Sequence, residues 1–79
     1  MSRSRSLLFV AEGVNGSGNL ERVWVYKQGR SYYLAGPGAS DREHLCHPSV
    51  KDRTGIQREI FLVFQIKVGR VLEPHELNQ

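Results

Sequence analysis

The residues with the most chemical potential lie in Glu43-His44-Leu45-Cys46-His47, with His75 further along. Imidazole and thiolate are the usual donors of a tetrahedral zinc site. A thiolate beside an imidazole base is also the pairing of nucleophilic catalysis. The spacing fits neither chemistry well. Structural zinc sites draw on two separated pairs of ligands, whereas here one crowded segment is followed by a lone histidine. On a helix His44 and His47 share a face, and Cys46 points elsewhere. Nothing in the chain supplies an orienting group or an oxyanion site for a Cys–His pair. The segment reads instead as a polar helix end, with histidine near the negative pole of the helix dipole and Cys46 as a small buried apolar group. No catalytic residue, metal site or cofactor is predicted.

A second constellation suits contact rather than reaction. Leu20 to Lys27 and Ser31 to Ala35 read as strands, and Gln28-Gly29 as the two-residue turn between them. Counting back from that turn pairs Trp24 with Tyr33 and Val23 with Leu34. Side chains alternate across a sheet, so Val23, Val25, Tyr32 and Leu34 form one face. Arg22, Trp24, Tyr26 and Tyr33 form the other, with Ala35 opposite Arg22 and with Lys27 and Arg30 beside the turn. The aliphatic face is the expected core. The aromatic face serves either as a binding surface or as a second small core beneath a helix. Trp, Tyr and Arg are enriched where interfaces concentrate their binding energy, and exposed aromatics also stack on bases.

Leu8-Phe-Val-Ala-Glu-Gly13-Val-Asn-Gly-Ser-Gly18 resembles the strand and phosphate-binding loop of nucleoside monophosphate kinases. That chemistry requires lysine and then serine or threonine directly after the second glycine. Asn19 and Leu20 stand there, and the β-branched and aromatic residues that follow oppose a helix. The segment is therefore a strand connection. Leu62-Val-Phe-Gln-Ile-Lys-Val-Gly69-Arg-Val resembles a strand of the ADP-ribosyltransferase domains of poly(ADP-ribose) polymerases. The histidine, tyrosine and glutamate of that family's catalytic set have no counterparts here.

The elements that position these residues follow from apolar patterning and turn signals. Residues 1–5 are expected to form a disordered basic tail, and residues 6–79 one small domain. Leu7 to Ala11 reads as the first strand and Gly13 to Asn19 as a loop rich in turn formers. Gly36-Pro37-Gly38 ends the meander. Ser40-Asp-Arg-Glu43 matches a capping box, predicting a short helix from Asp41 to about His47. The longest apolar run, Ile60 to Phe64, continues in alternation to Val68 and predicts a strand from about Arg58 to Val68. Its core side would carry Ile60, Leu62, Phe64, Ile66 and Val68, with Phe61 and Val63 covered by the short helix. Gly69 permits a bulge, Val71-Leu72 a short last strand, and Pro74 a final helical turn with Leu77 packing back. The expected fold is α+β: an antiparallel sheet of four to five strands in the order β-β-β-α-β, with a small bent barrel as the alternative.

Composition bounds the function classes. The chain has 79 residues, so folding buries only about 60–65% of the unfolded surface. One cysteine excludes an internal disulfide and fits a reducing compartment. The apolar run after Met1-Ser-Arg-Ser-Arg-Ser6 is too short for a signal-peptide core or a membrane span, so a cytoplasmic location and no membrane partner are expected. Net charge is +3, with 11 basic and 8 acidic residues. Nine of the basic residues but only four of the acidic ones fall between Arg22 and Arg70. That stretch suits an anionic partner and opposes mimicry of DNA. The leading expectation is a non-enzymatic binding protein acting by surface contacts on a protein partner or a protein–nucleic-acid complex. A regulator, or a phage-type inhibitor of a host protein machine, has that character. The alternative is direct nucleic-acid binding through the basic aromatic face, and a homodimer paired through sheet edges is compatible with either.

Overall fold

Alternating apolar residues build the sheet. In the computed structural model, which describes residues 6–36 and 43–78 (the side chains of 77 and 78 excepted), four strands precede the helix. They are β1 (Ser6–Val14), β2 (Leu20–Gln28), β3 (Ser31–Ala35) and β4 (Glu43–Leu45). Helix α1 (Arg53–Phe64), β5 (Lys67–Leu72) and a 3₁₀ turn (Pro74–Asn78) complete the chain. The strands form one open antiparallel sheet in the order β4-β3-β2-β1-β5, so the fold is α+β and does not close into a barrel. The proposed tail, the Pro37-Gly38 stop, the Ser40 cap and the packing of Leu77 lie outside the described residues.

The long apolar run is a helix for most of its length, not the expected strand. Asp52 caps it: its side chain accepts a hydrogen bond from the Gly55 N–H at 2.8 Å. Ile56, Ile60 and Phe64 then recur every fourth residue along the buried side. Phe61, Leu62 and Val63 occupy the outer surface, at 54, 63 and 39% exposure, which is why every position of the run is apolar without every position being buried. Only its tail, from Lys67, joins the sheet. The short helix expected over 41–47 is also corrected, because Glu43–Leu45 pair with Tyr33–Ala35 as an edge strand. A three-residue strand leaves too little alternation to declare itself.

The core occupies one side of the sheet. Phe9 and Ala11 of β1, Val23 and Val25 of β2, and Leu34 of β3 pack with Ile56 and Ile60 of α1, joined by Ile66 and Cys46. Helix α1 begins near Phe9 and Tyr32, where the Arg53 guanidinium lies 4.8 Å from the Phe9 ring centroid. It is tied to β4 by Glu59, which meets His44 Nε2 at 3.0 Å. Glu73, just after β5, holds Arg53 through both carboxylate oxygens at 2.8 and 3.0 Å.

Two backbone positions set the join between α1, β5 and β1. Gln65 closes the helix in the left-handed conformation, at φ 59° and ψ 37°, and its N–H donates to the Phe61 carbonyl at 2.8 Å. Gly13 is fully packed where β1 meets β5, and a Cβ there would collide with the Lys67 carbonyl and the Ile66 side chain. The extra residue of the adjacent bulge is Gly69, at the position expected from the sequence. Relief of left-handed strain predicts that Gln65→Gly stabilises the protein by about 1 kcal/mol. Gly13→Ala is expected to destabilise it by roughly 2–3 kcal/mol. Urea unfolding monitored by circular dichroism checks both signs.

Candidate binding face

The side of the sheet opposite α1 carries its side chains in cross-strand rows. The β2–β3 pairing is displaced by two residues from the expected register. Gly29, at φ 62°, and Arg30 make the turn, Gln28 faces Ser31, and Tyr26, not Trp24, faces Tyr33. An even displacement returns every side chain to its original face. Arg22, Trp24, Tyr26 and Tyr33 are therefore together on the face opposite the core, as their alternation predicts.

Sheet order extends this face beyond those four residues. One row runs Leu45, Tyr33, Tyr26, Leu7 across β4 to β1. The next runs Glu43, Ala35, Trp24, Val10, Leu72 across all five strands. Val10 and Leu72 are buried, while Trp24, Tyr26 and Tyr33 are half-buried and Leu45 is 54% exposed. Leu7, Val10, Leu45 and Leu72 were not recognisable as part of the face, because their membership depends on which strands become neighbours. The third row is charged: Arg22, Glu12, Arg70. Arg22 Nε donates to Glu12 Oε2 at 3.0 Å, which confirms that both side chains share this face.

Lys27 and Arg30 do not join this face. Lys27 lies on the core side, its Nζ 5.7 Å from the Tyr32 ring centroid, and Arg30 is in the turn. The Glu43–His47 segment is likewise dispersed. His44 points to the helix side and Glu59, His47 Nδ1 lies 2.7 Å from Ser49 Oγ, and Cys46 is 4% exposed. Among the described residues, no three His, Cys, Asp or Glu side chains gather to hold a metal ion.

No family model, curated protein or solved structure matches this chain. Its chemistry therefore rests on the geometry of its own residues. Among the described residues no helix is long and apolar enough to cross a membrane.

Burial, reinforced by the negative charge of Glu59, raises the Cys46 thiol from 9.0 to about 11. The neutral thiol is the form the core accepts. A two-unit rise lowers the thiolate fraction at pH 8 about 100-fold. Alkylation of Cys46 in the native protein is expected to be slower than in denaturant by at least about that factor. Because the folded chain holds this proton more tightly, its contribution to stability is complete below pH 9.0 and is lost as pH rises toward about 11. Timed iodoacetamide labelling with mass spectrometry, with and without denaturant, checks the reactivity.

Proposed function

We propose that this is a non-enzymatic binding protein that engages a protein partner through the sheet face opposite α1. The observation that carries this reading is the row Leu45-Tyr33-Tyr26-Leu7 with Trp24 beside it in the next row, where Val10 and Leu72 are buried and serve as backing. Large aromatics held by strand pairing lose little freedom on binding, and partly exposed Trp and Tyr are the residues most often found at energetic centres of interfaces. Leu45 and Leu7 extend the patch at the two ends of the first row.

Charge favours a protein over a nucleic acid at this face. Arg22 is already engaged by Glu12, so the row bordering the aromatics is a poor track for phosphates. The same row suits the polar rim of a protein interface. A regulator or inhibitor would act through such a face. A cytoplasmic setting accords with a single buried thiol.

The test is capture of partners from native lysate, followed by measured affinity for the partner recovered. Trp24→Ala and Leu45→Arg are each expected to weaken binding at least roughly tenfold. Phe61→Ser, on the outer surface of α1, is expected to leave it unchanged. Circular dichroism establishes that each variant is folded. Full retention of the partner by folded Trp24→Ala and Leu45→Arg proteins would overturn the assignment of this face.

A further inference from the structure

A separate cavity of about 550 Å³ opens between the β2–β3 turn and the segment joining β4 to α1. Lys27, Arg30 and Lys51 line it together with His47, and among the described residues no carboxylate does. Among the described residues none of these three cations has an acidic partner, in contrast to Arg22 and Arg53, which are both paired. Three like charges around one concavity repel one another, and an anion bound among them relieves that repulsion. His47 adds a ring N–H donor. Its Nδ1 accepts the Ser49 N–H at 3.1 Å, which leaves the ring proton on Nε2.

The remaining walls suit a ligand larger than a bare anion. The Tyr32 ring and the Val50 side chain supply aromatic and aliphatic surface, and Leu45 closes the side toward the aromatic sheet face. A lone phosphate would leave those walls unused, whereas the volume lies within the roughly 300–1,000 Å³ of small-molecule sites. The geometry points to a nucleoside phosphate as the ligand, its phosphate among Lys27, Arg30 and Lys51 and its base against Tyr32 and the aliphatic wall. The nucleotide is either free or one unit of a single strand. This site is independent of the protein-binding reading and shares only Leu45 with that face.

Amide NMR titration of the full chain distinguishes the sources. The probes are adenosine monophosphate, a single-stranded oligothymidylate and inorganic phosphate. Shifts at the amides of Arg30, Ser31, Tyr32, His47 and Lys51 are expected with a nucleotide ligand. Stronger binding of the oligomer identifies a strand as the source, and equal or stronger binding of the monophosphate identifies a free nucleotide. With three phosphate contacts, oligomer affinity is expected to fall about 20-fold between roughly 50 and 200 mM salt. In the Arg30→Gln/Lys51→Gln double variant, which retains one cation, that fall shrinks to about threefold. The inference is overturned if these amides respond to neither nucleotide ligand at low salt. It is equally overturned if inorganic phosphate binds as tightly as both.

Discussion

The structure depends on one seam, where Ile56 and Ile60 of the helix meet Phe9, Val23, Val25 and Leu34 of the sheet. Among the described residues, one twelve-residue α-helix covers the five strands. A fully buried aliphatic or aromatic side chain contributes about 1.5–3 kcal/mol, so a domain this small has few contacts to lose. The seam also fixes sidedness. Once α1 takes the face bearing Val23 and Val25, the alternate residues Trp24 and Tyr26 are committed to the opposite side. The aromatic sheet face is thus a by-product of where the core lies.

Much of this was legible in local patterning. Val23, Val25 and Leu34 alternate with Trp24, Tyr26 and Tyr33, and parity alone assigns the two sets to opposite faces. That assignment survives a two-residue error in the turn because the strand period is two. Gly69 marked its bulge and Pro74 its turn. The apolar run from Ile60 misled because a period cannot be read where every residue is apolar. The discriminating signals were outside the run: Asp52 as a cap, the helix formers Gln57, Arg58 and Glu59, and Ile56 one turn before Ile60. The strand at Glu43–Leu45 was hidden for a different reason, since its identity comes from pairing with β3 rather than from its own residues. The cavity at the hairpin tip was beyond reach for the same cause. It unites Lys27 and Arg30 with His47 and Lys51, which only the β3–β4 pairing brings close.

The surface differs in chemistry from one region to the next. The sheet face combines aromatics with aliphatics and keeps its nearest arginine neutralised. The hairpin tip gathers cations that have no acidic partner among the described residues around a concavity. The outer surface of α1 exposes Phe61 and Leu62 yet has no comparable charge organisation. Cys46 lies beneath β3, bonded through its backbone N–H to the Tyr32 carbonyl at 2.9 Å, and serves packing.

The crossover from β4 through α1 to β5 imposes an order on assembly. Strands β1 to β3 are joined by short turns and pair locally, but β1 cannot acquire its second neighbour until the chain has passed through the helix and reached Lys67. The pairing of Gly13 with Val68 closes most of the polypeptide into one loop, and that entropy is lost before the contact rewards it. Until then, the backbone of Val10, Ala11 and Glu12 presents an unpaired edge that β5 later covers. The docking of β5 therefore closes this loop and covers the β1 edge in one event.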